Sequence, residues 1–243
     1  MYRHLFFDLD HTLWDYESNS NRALARLYEE FRLSDTGIPG LAEFQSAFHR
    51  ANHRVWNQFG ENTLNRHQLR HKRLELVYES FGLEAVVPDG FHEAYYEQCS
   101  RGTDLMPHAR EVVEILSGRY VLHIVTNGFD DAQFTKIENS GLAPYFQTIT
   151  TSENAGSKKP ERAYFAYALQ KAGARKAESM VIGDGLQTDI RGARDFGLDF
   201  IWFNPEGTAG EEIPFIRSLR ELPGMLQGPT GGTSSGSRTS GPA

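Results

Sequence analysis

The sequence is poor in cysteine, in long apolar runs and in net positive charge, and each shortage closes off a class of function. Cys99 is the single cysteine among 243 residues, so no intrachain disulfide can form, no cysteine cluster offers a zinc site, and a reducing compartment suits the chain. Nowhere do about 18 consecutive apolar residues occur, the least that spans a bilayer as a helix. The opening run Leu5-Phe6-Phe7 is too short for a signal-peptide core and is broken at once by acids. We therefore expect a cytoplasmic protein with no membrane partner. Lysine and arginine number 25 against 32 acids, a formal charge of −7. That balance argues against an electrostatic grip on a nucleic acid polymer or anionic lipid and leaves only a local basic pocket open. Apolar residues at 39% and charged residues at 23% exclude fibrous and wholly disordered chains.

What is present is patterned. Short apolar, β-branched or aromatic runs at 5–7, 121–125, 146–151 and 180–182 predict buried parallel strands, with 200–203 a candidate fifth. Helical patterns at 129–139, 161–171 and 186–196 separate most of them, closed by Ser140-Gly141, Gly173 and Gly197. Alternation of this kind predicts an α/β fold with a doubly wound, Rossmann-like parallel sheet.

Residues 15–105 read as helix throughout. Leu24, Leu27, Tyr28 and Phe31 form one apolar stripe; Phe44, Phe48, Ala51, Val55 and Phe59 a second; Leu69, Arg73, Leu76, Val77 and Phe81 a third; Phe91, Tyr95 and Cys99 a weaker fourth. An insertion placed right after the first strand emerges at the carboxyl edge of the sheet, where ligands bind in this architecture. The expected organisation is a core of 1–14 with 106–227, an all-helical cap of 15–105, and a tail of 228–243. That tail is almost wholly Gly, Ser, Thr and Pro, a composition too apolar-poor to offset its ordering entropy, and we expect it to be disordered.

Four strand tips carry reactive groups. Asp8 and Asp10 follow the first strand, Thr126-Asn127-Gly128 the second, Lys158-Lys159-Pro160 the third, and Gly183-Asp184 with Asp189 the fourth. Taken singly, each has an ordinary explanation: solvated loop acids, a turn, an exposed lysine pair, acids at a helix start. Together they gather carboxylates, a hydroxyl with amides, and a lysine on one sheet edge. Clustered carboxylates repel unless a hard cation sits among them, and oxygen donors of this type favour Mg²⁺, which also lets a phosphate dianion approach.

At these residues the chain resembles the haloacid dehalogenase superfamily of hydrolases, whose four motifs match Asp8-Leu9-Asp10-His11-Thr12, Thr126-Asn127, Lys159, and Gly183-Asp184 with Asp189. Within it, Asn127-Gly128-Phe129, Gln133 and the run to Gly141-Leu142 resemble the YjjG-type pyrimidine 5′-nucleotidases. The resemblance implies a Mg²⁺-dependent phosphomonoesterase acting on nucleoside 5′-monophosphates through an aspartyl-phosphate. It implies Asp8 as nucleophile, Asp10 as general acid and base, and Thr126, Asn127 and Lys159 as holders of the phosphoryl group. Asp8, the backbone carbonyl of Asp10, and Asp184 are the expected metal ligands, with Asp189 orienting metal waters or Lys159. Other phosphatases, acting on phosphoglycolate or a sugar phosphate, and phosphomutases share the motifs. Dehalogenases and phosphonatases of the superfamily lack the second acid, which disfavours their chemistry here. His11, where many members have Gly, and Gly185, where many have Ser or Asn, depart from the pattern without replacing a reactive group.

Among other residues, Cys99 reads as a small core residue. His67 and His71 have a zinc-compatible spacing but no third ligand, and read as part of a solvated basic face with Arg66, Arg70, Lys72 and Arg73. Trp56, Phe59, Tyr95 and Tyr96 read as core, and Trp14 is the candidate for touching a base or sugar. A phosphoaccepting receiver domain uses similar groups, but its nucleophile stands on a later strand and it lacks the helical insertion. Monomer and homodimer both remain open.

Overall fold

The computed structural model describes residues 1–207 and 213–226; the tail expected at 228–243 lies outside the described residues. In chain order the elements are β1 (His4–Phe7), α1 (Tyr16–Glu30), α2 (Leu41–Gly60), α3 (Arg66–Ser80), α4 (Phe91–Ser100), α5 (Ala109–Ser117), β2 (Val121–Val125), α6 (Asp130–Asn139), β3 (Phe146–Thr150), α7 (Ser152–Ala155), α8 (Arg162–Ala172), β4 (Ser179–Gly183), α9 (Arg191–Phe196), β5 (Asp199–Phe203), β6 (Phe215–Ile216) and α10 (Leu222–Leu226). The six strands form one sheet in the order β3-β2-β1-β4-β5-β6, and every pairing is parallel. This is the doubly wound order, in which winding reverses beside β1 and opens a crevice at the carboxyl ends of the strands.

Both faces of β1 are covered, which is why its sequence is a continuous apolar run rather than an alternation. Side chains of a strand point alternately to opposite faces. Leu5 and Phe7 accordingly join the larger core, which extends into the helical insertion, whereas Phe6 joins Val125, Val181, Tyr164 and Phe165 on the other face. Phe7 lies opposite Ile124 of β2 and Ile182 of β4. The residues leaving these three strands therefore emerge side by side.

Besides the short α7 and α10, two elements escape the sequence pattern. β6 has two residues, too few to show a period, and α5 was not singled out although its Ala109, Val112, Val113 and Leu116 are buried. The expected helix 186–196 is divided: Leu186–Ile190 is a π-helical turn ahead of α9. There the Gly185 carbonyl accepts from both the Asp189 and the Ile190 N–H, at 2.8 and 3.2 Å, widening the turn, as occurs often at functional positions.

The insertion after β1 holds the four long helices α1 to α4. Helix α3 opens with a capping box in which Asn65 and Gln68 exchange side-chain-to-backbone hydrogen bonds. One expectation is corrected here: Arg73 does not belong to a solvated basic face. It occupies an apolar-stripe position, is 3% exposed, and turns inward against Phe48, Tyr95 and Tyr96. Arg66 and Arg70 cross instead to Asp131 and Glu153 beyond β2 and β3. Lys158 reaches back to the Phe59 carbonyl and Asn62, and Phe129 lies against Trp56 and Phe59. These contacts form the seam between insertion and sheet. No helix among the described residues is long and apolar enough to cross a membrane.

Candidate active site

The loop after β1 is held in place from both ends. Asp8 continues the ladder through its N–H to the Ile182 carbonyl at 2.9 Å, and Leu13 and Trp14 donate back to the Leu9 carbonyl at 2.9 and 2.8 Å. His11 sits at φ +63°, in the left-handed region where glycine is the easiest occupant. Thr12 bonds both the Asp184 carboxylate and the Asp184 N–H, each at 3.0 Å, fastening the first loop to the fourth.

Lys159 is the centre of the charge network. Its Nζ lies 2.6 Å from Asp8 Oδ1 and 2.5 Å from Asp189 Oδ1 and donates to the Val125 carbonyl at 3.0 Å, with 3% of the residue exposed. Burial opposes its charge, but Asp189 and Asp8 hold its pKa above the ordinary value. Burial pushes the Asp8 carboxyl well above the usual range, with Lys159 working the other way. Asp184 is raised by burial and by Asp189. The carboxylate oxygens of Asp8, Asp184 and Asp189 lie within 4.8 Å of one another. A Cβ at Gly183 would strike Asp189, and one at Gly185 would strike Thr188 and Asp189, so both glycines are needed to let this cluster close. Three hard oxygen donors converging with only one ammonium among them fit Mg²⁺.

Asp10 faces away from that cluster. Its carboxylate takes Lys136 Nζ at 2.6 Å on one oxygen and Gln133 Nε2 at 3.0 Å on the other. Burial raises its pKa, but Lys136 and Gln133 together bring it below the usual value. Both partners project from α6 one turn apart, and Lys136 also lies over the Trp14 ring at 4.3 Å. Gly128 makes this possible, because a Cβ there would collide with the Gln133 amide. Lys136 was not singled out from sequence. It is a buried lysine, three residues after Gln133 on a helix that starts at the second motif, and that spacing was the available signal.

Two sequence-derived candidates stand differently from expectation. Trp14 is fully buried, its indole N–H donates to the Gly102 carbonyl at 3.0 Å, and it is not on the cavity wall; it supports Lys136 instead of facing a ligand. The Asn127 side chain bonds the Lys159 backbone at both ends, accepting from its N–H at 2.8 Å and donating to its carbonyl at 3.0 Å. What Asn127 can offer a ligand is therefore its backbone N–H. Thr126 accepts from the Gly128 N–H at 3.1 Å and keeps its own hydroxyl proton to donate. Asp8, Asp10, Thr126, Lys159, Asp184 and Asp189 all open on one cavity of about 440 Å³, roofed by the insertion.

A parallel sheet wound in this order, with its strand-tip acids and lysine under a helical roof, defines a doubly wound α/β protein with an acidic site at the carboxyl edge of the sheet. The chain belongs to the haloacid dehalogenase-like hydrolase family, whose model matches residues 2–197. It is 33% identical over 228 residues to the HAD-hydrolase YfnB of Bacillus subtilis, covering 91% of this chain and 94% of that one. It is 29% identical over 229 residues to the pyrimidine 5′-nucleotidase YjjG of Escherichia coli, covering 91% and 96%, and 32% identical over 207 residues to a ribulose-1,5-bisphosphate 5-phosphatase of Halopiger xanaduensis, covering 83% and 84%. The crystal structure of YfnB bound to magnesium superposes with a TM-score of 0.82 at 30% identity, covering 93% of this chain and 99% of that one.

Proposed function

We propose that the protein is a Mg²⁺-dependent phosphomonoesterase that hydrolyses nucleoside 5′-monophosphates, with a pyrimidine base, through an aspartyl-phosphate on Asp8. The observation that carries the chemistry is the division of labour between two carboxylates two residues apart: Asp8 in the acid cluster on Lys159, Asp10 turned to Lys136 and Gln133. The substrate class rests on the nucleotidase relative and on the residues of the roofed cavity.

In the first half, a carboxylate oxygen of Asp8 attacks phosphorus, the bond from phosphorus to the ester oxygen breaks, and Asp10 supplies the proton that the departing alkoxide needs. At rest, Lys136 and Gln133 favour the ionised Asp10; a phosphoryl group drawn in beside it adds like charge and raises its proton affinity. Lys159, the Thr126 hydroxyl and the Asn127 backbone N–H hold the phosphoryl oxygens. In the second half, Asp10 takes a proton from water as that water attacks the aspartyl-phosphate, and Asp8 is regenerated as phosphate leaves. Asp8, Asp184 and the Asp10 backbone carbonyl would hold Mg²⁺, with Asp189 fixing Lys159; the ion supplies charge neutralisation for the transferring group. The helical segment 15–105 serves as a cap on a core of 1–14 and 106–227, excluding water when substrate is bound.

Phosphate release from uridine, deoxyuridine and thymidine monophosphates, ribose 5-phosphate, phosphoglycolate and ribulose 1,5-bisphosphate tests this, with Mg²⁺ or EDTA, using wild type and Asp8→Asn. The expected outcome is fastest release from a pyrimidine nucleotide, abolished by EDTA and by Asp8→Asn. If another ester leads while Asp8→Asn and EDTA still abolish release, the mechanism stands and the substrate class fails. Release surviving Asp8→Asn refutes the nucleophile.

A further inference from the structure

Arg73 is a buried cation that pairs with no carboxylate among the described residues. Its Nε donates to the Leu69 carbonyl at 3.3 Å, within its own helix, and an Nη donates to the Tyr96 hydroxyl. Ring faces surround the guanidinium carbon, Tyr96 at 4.9 Å, Tyr95 at 5.2 Å and Phe48 at 5.9 Å. Ring faces offset part of the penalty for burying a charge, but an ion removed from water normally finds a counter-group. The remaining donor capacity of Arg73 opens on the cavity that holds Asp8 and Asp10.

A second buried polar group lines the same cavity. Asn52 lies one helical turn beyond Phe48 on α2, is 9% exposed, and its Oδ1 is a buried acceptor that no donor among the described residues reaches. His49, Asn52, His53 and Trp56 all line the same cavity. Their spacing of three, four and seven residues makes them one face of α2. An acceptor left without a donor in a buried site costs stability unless a ligand completes it.

We infer that Arg73 and Asn52 form the subsite for the leaving group, and that they read the edge of a pyrimidine base carrying a carbonyl beside a ring N–H. Arg73 donates to the ring carbonyl and Asn52 Oδ1 accepts the ring N–H, so that a cation and an unpartnered acceptor on the insertion side of the cavity match one planar edge, flanked by tyrosine and tryptophan rings. This rests on the nucleotide reading above and deepens it, because the groups that recognise the base sit on the insertion while those that cleave the ester sit on the sheet.

The experiment compares kcat/KM for uridine 5′-monophosphate with that for ribose 5-phosphate, which keeps the sugar and ester and lacks the base. It uses wild type, Arg73→Met and Asn52→Leu, each checked for native circular dichroism. Wild type should favour the nucleotide, and each variant should lower the ratio of the two constants by about tenfold or more, the size expected when a site loses a hydrogen bond on which it discriminates. A wild type that favours the nucleotide, with a ratio unchanged in folded Arg73→Met or Asn52→Leu, overturns the subsite and leaves the nucleotide reading intact. A wild type that does not favour the nucleotide overturns that reading, and the base subsite with it. If Arg73→Met does not fold, Asn52→Leu decides the matter alone.

Discussion

Deleting the Lys159 ammonium is the most direct test of how the site is held together. Lys159→Met keeps most of the apolar stem and removes the charge that lies 2.6 Å from Asp8 and 2.5 Å from Asp189. The carboxylates of Asp8, Asp184 and Asp189, within 4.8 Å of one another, would then face each other with no cation. Removing one partner of a buried ion pair costs about 3–5 kcal/mol. At roughly 2–4 °C of melting temperature per kcal/mol for a chain of this size, the expected loss is about 6–20 °C. Asp8 limits the loss by protonating, since burial already pushes its pKa well above the ordinary 3.8. A carboxyl raised in the folded state contributes its stability when protonated, and that contribution is lost as pH rises through the folded pKa. The variant should therefore melt nearest to wild type at pH 5 and furthest below it at pH 8. Mg²⁺ at about 100 times its dissociation constant adds about 2.7 kcal/mol to whatever binds it, so it should recover part of the deficit. Thermal scans at both pH values, in EDTA and in Mg²⁺, read all three effects. A variant melting within about 2 °C of wild type at pH 8 in EDTA would refute the reasoning, because the predicted shift is several times larger.

Three further predictions concern the surroundings of the site. Lys136→Met should lower kcat by about tenfold or more, part of the roughly 10²- to 10⁴-fold that general acid–base catalysis contributes; an unchanged kcat would show that Asp10 needs no support from Lys136. Gly128→Ala should displace Gln133 from Asp10, since the added methyl meets the Gln133 amide, and steady-state kinetics should show a fall in kcat; a variant with wild-type kcat would mean that Gln133 is dispensable. His123 is buried between His4 at 3.1 Å and Thr148 at 2.8 Å, and burial lowers its pKa from 6.5 to about 4. A histidine kept neutral in the fold loses stability as pH falls from its unfolded pKa toward its folded one. Urea midpoints should thus decline between pH 6.5 and pH 4, and less so in His123→Gln; equal declines would assign the acid sensitivity elsewhere.

The four strand tips were legible because each depends on neighbours in sequence: a buried run ends, and the next polar residues must leave the sheet at its carboxyl edge. Asp8, Thr126, Lys159 and Asp184 follow from that local rule. The helices of 15–105 were legible by the same means, since their apolar stripes repeat with the helical period. The bonding of the Asn127 side chain to the Lys159 backbone was not legible, because an amide beside a strand tip looks the same whether it faces a ligand or the backbone of another loop. The burial of Trp14 was not legible, because adjacency to the loop after β1 does not say which way a ring turns.

Period and composition by themselves determined the fold class, the place of the insertion and the chemical types gathered at one edge, because these depend on which residues leave water and where each run stops. Only the tertiary structure decided the pairs: Lys136 with Asp10 across 126 positions of sequence, Lys159 with Asp8 across 151, and Arg73 turned from an expected solvated face into the cavity. Helical periodicity states which face of a helix is buried and leaves open what stands opposite it. A charge on that face acquires its role from a partner that folding alone brings near.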